Sequence, residues 1–174
     1  MVKKMKKTSL EKNRNKEKLL KFFLLKFFVI FAFLYALLYI ADLRFVEEFV
    51  AKASAGLIGL QAGSSTVNAN GALFIINESC TGFVSIIILA ATVFSLRKPD
   101  LRGKLLVFLP AGIALFALNI FRVAGVLWVG LNAGIQAAEA VHVVSWFLMS
   151  AAIIILWYYS TKKIVKASRF NELL

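Results

Sequence analysis

Three residues of this 174-residue chain have side chains that could do chemistry together: Cys80, Arg122 and His142. Cys80 is the only cysteine, His142 is the only histidine, and Arg122 interrupts a long apolar stretch. A thiolate attacks carbonyl carbons, and an imidazole can take its proton and return it to a leaving amine. A guanidinium can stabilise the oxyanion that forms. These residue types indicate nucleophilic catalysis on an acyl group.

Each of the three residues also has a purely structural explanation. A lone Cys among apolar residues often packs as a small hydrophobe. An Arg near a helix end can extend its charge to the lipid headgroups, and a His at a membrane boundary can be an interfacial residue. The catalytic interpretation requires all three side chains at one level of the fold. Whether the helices that carry them place them at one level therefore distinguishes the catalytic from the structural interpretation.

Composition indicates a membrane protein. The chain is 60% hydrophobic with a mean hydropathy of +0.80, and it carries a net charge of +12. Soluble domains are about half apolar or less. A nucleic-acid-binding protein would explain the charge but not the apolar runs, so we expect no nucleic-acid partner. A single Cys excludes an intrachain disulfide framework, and we expect no metal and no cofactor.

Four apolar stretches approach the roughly 20 residues that a spanning helix needs. They cover residues 22–41, 80–96, 105–130 and 141–160, of which the second is short. We therefore predict an all-α membrane protein with a bundle of about four transmembrane helices. A basic segment, 1–21, precedes a single membrane-embedded catalytic domain, 22–160, and a basic tail, 161–174, follows it.

The first apolar stretch has an alternative interpretation as part of a signal peptide. Ala51-Lys52-Ala53 would then be the small-residue cleavage site. However, the apolar run is about 20 residues rather than the usual 7–15, and charged residues separate it from that site. The sequence favours a retained first helix.

The charged residues predict the orientation in the membrane. Residues 1–26, 97–104 and 161–174 hold 18 basic and 4 acidic residues, a net charge of +14. Residues 42–79 and 131–140 hold 2 basic and 5 acidic residues, a net charge of −3. Because basic loops stay on the cytoplasmic side, we expect a multi-pass protein of the cell membrane with both termini in the cytoplasm.

The first outer segment contains two further patterns. Apolar residues recur at helical spacing between Phe45 and Leu60, which predicts an amphipathic helix on the outer membrane surface. Asn70-Gly71 then predicts a short extracytoplasmic β-hairpin that leads towards Cys80, because both residues tolerate positive φ. The alternative is an irregular polar loop.

Helix geometry places the three reactive residues at one depth. Cys80 opens the second apolar stretch and His142 opens the fourth, both on the outer side. Arg122 lies roughly 25 Å along a third helix that starts inside at Leu105, in a hydrocarbon core of about 30 Å. Asn119 shares the helix face of Arg122. We therefore predict a single catalytic site that faces outward.

The order of these motifs resembles the archaeosortase/exosortase family of integral-membrane Cys transpeptidases. The resemblance covers roughly residues 60–160 and rests on a Cys-x-Gly, an Asn-x-x-Arg, and a His followed by a small residue and an aromatic residue. In this sequence they are Cys80-Thr81-Gly82, Asn119-Ile120-Phe121-Arg122, and His142 with Ser145-Trp146. The chain departs from the family at Thr81, where Ser or Ala is common, and at Ser145, where Gly is expected.

The resemblance implies a membrane-embedded cysteine protease or transpeptidase. Such enzymes cleave C-terminal sorting signals of secreted proteins, which consist of a short motif, a transmembrane helix and a basic cluster. The acyl group passes through a thioester to a membrane lipid or another cell-surface acceptor. The implied catalytic set is Cys80 as nucleophile with Arg122 and His142, supported by Asn119, Gly82 and Thr81.

Two other interpretations fit the same polar groups. The first is a non-enzymatic transport or assembly subunit, but transport sites lie near the bilayer midplane and often use broken helices. The second is a catalytically idle homologue, against which the intact Cys80, Arg122 and His142 argue. If the protein is an enzyme, a substrate strand could pair with the hairpin edge around Ala72–Ile76 and so reach the nucleophile.

Overall fold

The computed structural model describes the backbone of residues 2–165, and side chains from residue 14 onward except those of residues 15 and 165. The predicted basic tail therefore lies mostly outside the described residues. The fold is mostly helical, with one small sheet. In chain order the elements are α1 (Val2–Ile40), α2 (Arg44–Leu57), β1 (Thr66–Ala69), β2 (Ala72–Ile75), a 3-10 turn (Glu78–Cys80), α3 (Phe83–Ser95), α4 (Leu101–Ala133) and α5 (Ile135–Val165).

Among the residues that the structure describes, three helical segments are long and apolar enough to cross a membrane. They are Lys16–Ile40, Leu101–Ala133 and Ile135–Ile164. Helix α3 has 13 residues, which is about 20 Å of helix against a hydrocarbon core of about 30 Å. The predicted count of four spans is therefore not confirmed. The second apolar stretch is shorter as a helix than as a run of apolar residues, because Gly82 breaks the helix at φ +82°.

The boundaries of the last two helices differ from the apolar stretches. Helix α4 starts at Leu101 because the Asp100 side chain caps it, accepting the Gly103 N–H at 3.2 Å. It continues through Pro110 to Ala133. Helix α5 starts six residues before the stretch that we predicted from hydropathy, so the prediction that His142 opens its helix is wrong. His142 lies two turns inside α5.

The long helices form the frame of the molecule. Helices α4 and α5 are joined through Gly134 and pack antiparallel, α3 packs against both, and α1 packs against α3. The apolar side chains form two buried clusters along this frame. One lies around α3, α4 and α5, with Leu89, Val93, Val107, Ala111, Leu115, Met149 and Ile153. The other lies around Cys80, with Val50, Ala51, Ala55, Val67, Ile76, Val123 and Leu127.

Helix α2 is the predicted amphipathic helix, and it packs against α4. The Ser54 hydroxyl donates to the carbonyl oxygen of Ile120 at 3.2 Å. Small residues face the protein, while Phe45 and Leu57 remain exposed. The small side chains allow close packing on α4, and the exposed apolar ones suit a membrane surface.

The predicted hairpin is confirmed. Asn70 and Gly71 form its two-residue turn at φ +52° and +81°, and β1 pairs with β2 in antiparallel register. The Phe74 ring packs against α4 at Gly130, where a Cβ would lie 2.5 Å from the ring. The opposite face carries Leu73 and Ile75, which are exposed. One face of the hairpin is therefore held on the bundle.

Candidate active site

The guanidinium of Arg122 lies at the centre of a hydrogen-bonded cluster on α4 and α5. Its Nη1 donates to Oδ1 of Asn119 at 2.8 Å, and its Nε donates to Oγ of Ser145 at 2.9 Å. Its Nη2 lies 3.5 Å from both ring nitrogens of His142. Equal distances place Nη2 beside the imidazole ring rather than in line with one nitrogen lone pair. Arg122 is thus fixed by partners on both helices.

Asn119 connects this cluster to the cysteine. Its Nδ2 donates to the backbone carbonyl oxygen of Cys80 at 2.6 Å, and its side chain is 1% exposed. A guanidinium only donates and a carbonyl only accepts, so the amide has one orientation that satisfies both. Asn119, which we expected to share a helix face with Arg122, contacts its guanidinium, and it also positions the backbone of Cys80.

Gly82 permits the Asn119 side chain to approach the backbone next to Cys80. Its φ of +82° is a conformation that residues with a Cβ rarely adopt. A Cβ at this position would lie 2.8 Å from Cγ of Asn119. The side chain of Asn119 is therefore the group that requires a glycine at this position.

Thr81 belongs to the turn rather than to the polar cluster. Its hydroxyl is buried, donates to the carbonyl oxygen of Glu78 at 2.7 Å and accepts the N–H of Phe83 at 3.4 Å. The N–H of Cys80 donates to the carbonyl oxygen of Asn77 at 2.8 Å. These bonds hold the 3-10 turn that presents Cys80 at the start of α3.

The thiol of Cys80 lies in the apolar cluster that includes Val123 and Leu127, and it is 9% exposed. Within the described residues, its polar neighbour is the Ser79 hydroxyl, 4.0 Å from Sγ. The structure thus joins Asn119, Arg122 and His142 through their side chains, but Cys80 through its carbonyl.

Two residues complete the cluster from α5. Ser145 accepts from Arg122 and donates to the carbonyl oxygen of His142 at 2.6 Å. Trp146 Nε1 donates to Nε2 of His142 at 3.2 Å, and its ring centroid lies 5.2 Å from Cζ of Arg122. We predicted no role in the site for either residue from the sequence. Their spacing of three and four residues from His142 was the available signal, since it places them on one helix face.

The tautomer of His142 follows from the Trp146 contact. A ring nitrogen that accepts a hydrogen bond carries no proton, so a neutral imidazole here carries its proton on Nδ1. In this arrangement His142 can donate through Nδ1. Its Nε2 is occupied until the bond from Trp146 opens.

Two acidic side chains of α2, Glu47 and Glu48, have shifted pKa values. Burial, followed by the charges of Glu78 and Asp42, raises the pKa of Glu47 above its ordinary value. Hydrogen bonds from Ser64 and Lys52 lower the pKa of Glu48. The Glu48–Ser64 bond joins α2 to the segment that enters β1, so α2 helps to hold the hairpin near Cys80.

Comparison with known proteins assigns the family. No curated protein and no solved structure matches the chain. Residues 13–158 match the transmembrane exosortase family (Exosortase_EpsH), which confirms the resemblance seen in the motifs. This match spans more than four fifths of the chain, and the protein therefore belongs to the transmembrane exosortase family.

Proposed function

We propose that this protein is a membrane-embedded cysteine transpeptidase that cleaves C-terminal sorting signals of secreted proteins. The observation that carries the proposal is the continuous set of contacts from His142 through Arg122 and Asn119 to Cys80. Three separate parts of the chain must come together to make it. Helix α4 continues unbroken past Pro110, unlike the broken helices that often line transport sites.

In the proposed reaction, Sγ of Cys80 attacks the carbonyl carbon of the scissile peptide bond. The carbonyl oxygen becomes an oxyanion, which the Arg122 guanidinium stabilises. The C–N bond then breaks, the amine leaves with a proton, and a thioester remains on Cys80. An acceptor amine attacks the thioester and gives up a proton, which restores the thiol. Water in place of the amine would release a carboxylic acid.

Arg122 suits the electrostatic role because its position is fixed before the reaction begins. Its Nε and Nη1 are held by Ser145 and Asn119. Charge that is already oriented towards a developing oxyanion stabilises it without reorganisation, and the effect is large where water is excluded. Within the described part of the chain, the hydrogen-bond contacts of Nη2 are the two of 3.5 Å to His142, so Nη2 is the guanidinium nitrogen best placed to meet a substrate oxygen.

His142 is the proposed carrier of the thiol proton. Nε2 can accept that proton only after the Trp146 N–H has moved away from it. The resting imidazole is therefore a donor, and proton transfer requires a rearrangement of Trp146. We assign that rearrangement to substrate binding beside the indole ring.

The proposal includes an orientation and partners. Both termini lie in the cytoplasm and the site faces outward, which the charges of +14 and −3 on the two sides support. The substrates end in a short motif, a transmembrane helix and a basic cluster. The acceptor is a membrane lipid or another amine at the cell surface. A substrate helix beside the bundle would present its outer end at the level of Cys80.

The hairpin offers a means of presenting the substrate. Because Ala69 and Ala72 flank a two-residue turn, Ala72 and Phe74 form their hydrogen bonds with β1. The backbone groups of Leu73 and Ile75 therefore point towards the other edge of β2, which no strand covers in the described chain. We propose that the substrate adds a strand at this edge.

Strand addition is tested by removing a backbone N–H at the free edge of β2, and the pairing of β1 with β2 identifies which residues have one. Proline at Phe74 would remove a hairpin hydrogen bond and the ring that packs on Gly130, so it would disturb the fold. Ile75→Pro instead removes an N–H at the free edge. We expect about a 10-fold loss of processing from Ile75→Pro and little loss from Ile75→Ala, which keeps the N–H. Normal processing by Ile75→Pro would count against strand addition.

The function itself is tested with Cys80→Ala. The enzyme is co-expressed with a secreted protein of the same genome that ends in a motif, an apolar helix and a basic cluster, and tail removal is followed by mass. We expect the tail to stay intact with Cys80→Ala and to be removed with Ser79→Ala, a control for local disturbance. Tail removal by Cys80→Ala at the wild-type rate would exclude the thiol mechanism.

A further inference from the structure

A cavity lies at the opposite end of α3 from Cys80. It has a volume of about 690 Å³ and lies between α1 and the segment that ends α3. Three cationic side chains line it: Lys18 and Lys26 from α1, and Arg97 two residues after the end of α3. Its apolar walls come from α1, through Leu19, Phe22 and Phe23. The length of α3 separates this cavity from the candidate active site by about 20 Å.

The cations of the cavity lack carboxylate partners. No ion pair involves Lys18, Lys26 or Arg97 among the side chains that the structure describes. The Lys26 ammonium lies 4.6 Å from the centroid of the Phe22 ring, another wall of the cavity. Like charges that line one cavity repel one another, so a bound anion would stabilise the arrangement.

Ser95 adds an independent observation. Its side chain is 4% exposed and lines the cavity, yet its Oγ has no hydrogen-bond partner among the described residues. Buried hydroxyl groups are almost always hydrogen-bonded, because an unpaired one loses its bonds to water without replacement. Because its Oγ is closed to solvent, the hydroxyl reaches an oxygen of a ligand in the cavity only after the side chain turns about its Cα–Cβ bond. The presence of an unpaired, buried hydroxyl does not follow from the cation cluster, so it is a separate indication of a ligand.

The lining identifies the chemistry of the ligand. Cations and a hydroxyl suit a phosphate group, and the apolar walls suit the first carbons of an acyl chain. The volume is within the range of about 300–1,000 Å³ for small-molecule sites. The charge distribution predicts that this end of the bundle is cytoplasmic, where anionic lipids are concentrated. A basic peptide segment would be repelled.

We propose that this cavity binds the phosphate group of an anionic phospholipid. The phosphate contacts Lys26 and Arg97 and accepts a hydrogen bond from Ser95, while the glycerol and acyl carbons lie against Phe22. Because Lys26 belongs to α1 and Arg97 follows α3, the bound lipid joins the first helix to the rest of the bundle. The site is independent of the proposed peptidase chemistry.

Lipid binding to the purified full chain tests the proposal by native mass spectrometry in detergent. The cavity variant is Lys26→Gln with Arg97→Gln. The control is Lys21→Gln with Lys98→Gln, which makes the same charge change in the same two segments but outside the cavity lining. We expect phosphatidylglycerol to bind the cavity variant about 10-fold more weakly than wild type, and the control within about twofold. Equal affinity for the two variants would overturn the proposal.

Three further measurements separate the sources of the anion and the role of Ser95. Diacylglycerol with the same acyl chains should bind far more weakly than phosphatidylglycerol, and inorganic phosphate should not raise Tm at millimolar concentration. Ser95→Ala should weaken lipid binding severalfold without lowering the Tm of the lipid-free protein. Equal binding of diacylglycerol, or saturable binding of phosphate alone, would refute a phospholipid site. None of these readouts requires peptidase activity, so failure here leaves the proposed function untouched.

Discussion

We expect Gly82→Ala to lower both the stability and the activity of the protein, although it adds only one methyl group between the 3-10 turn and α3. The residue has φ +82°, and a Cβ there would lie 2.8 Å from Cγ of Asn119. The backbone conformation alone costs an L-residue about 1–2 kcal/mol. Displacing Asn119 also breaks its buried bonds to Cys80 and Arg122, at about 1–3 kcal/mol each.

Gly59→Ala is the matched control. Gly59 has φ +74°, and no atom lies within 4 Å of the Cβ position. It therefore carries the backbone cost without the collision. We expect Gly82→Ala to be less stable than Gly59→Ala by about 2 kcal/mol or more. For a chain of this size, that is a difference in Tm of at least about 4 °C.

Activity provides the second readout of the same pair. A displacement of about 1 Å in a catalytic group costs on the order of 100-fold in rate. We therefore expect tail cleavage by Gly82→Ala to fall about 100-fold and that by Gly59→Ala to stay within a few fold of wild type. If both variants have the same Tm and the same cleavage rate, Asn119 does not couple Arg122 to Cys80 as we describe.

Three other substitutions test the surroundings of the site. Arg122→Lys keeps the charge but loses the planar fork, so cleavage should fall by about 10²–10³; a loss under tenfold would contradict the role of the guanidinium. Ser145→Ala leaves Nε of Arg122 without its partner, and we expect about a 10-fold lower rate at unchanged protein levels; full activity would show that Ser145 does not position Arg122. Gly130→Ala places a Cβ 2.5 Å from the Phe74 ring, and limited proteolysis should then cut the hairpin faster than in Gly125→Ala, whose Cβ position is open. Equal cutting of the two variants would mean that Phe74 does not hold the hairpin on α4.

Local features of the sequence predicted the hairpin well. Asn70-Gly71 is sufficient for the turn, because few other residue pairs adopt two positive φ angles. The contact of Asn119 with Arg122 follows from helical spacing within one element. The contact of Asn119 with the carbonyl oxygen of Cys80 spans 39 residues, and no local pattern predicts which backbone atom a distant amide will meet.

Hydropathy predicted the helix boundaries less well, because it marks where apolar residues lie rather than where helical hydrogen bonds start. The first turns of α5 include Glu139, which is polar but favours helix. Gly82 lies within an apolar stretch, but its φ of +82° is not helical, so α3 begins only at Phe83. His142 is therefore deeper in its helix, and Cys80 lies in a 3-10 turn. Their backbones still lie around one cluster.

The basic residues have two roles that the sequence alone does not distinguish: they predict the orientation in the membrane, and some of them line one cavity. The distribution of basic residues along the sequence predicts an orientation in the membrane, and that prediction requires no particular partner. The structure brings Lys18, Lys26 and Arg97 around one cavity with Ser95. Part of the basic surplus therefore has a local arrangement that a count of charges by segment does not show.

The central claim, nucleophilic attack by Cys80, is tested most directly by trapping the acyl-enzyme. Purified enzyme and the tailed substrate are mixed without an acceptor, quenched in acid, digested and analysed by mass spectrometry. We predict that the Cys80 peptide gains the mass of the substrate's acyl fragment, that hydroxylamine removes it, and that Arg122→Lys forms it slowly. Complete removal of the tail with no acyl adduct on Cys80 at any time point would contradict the account.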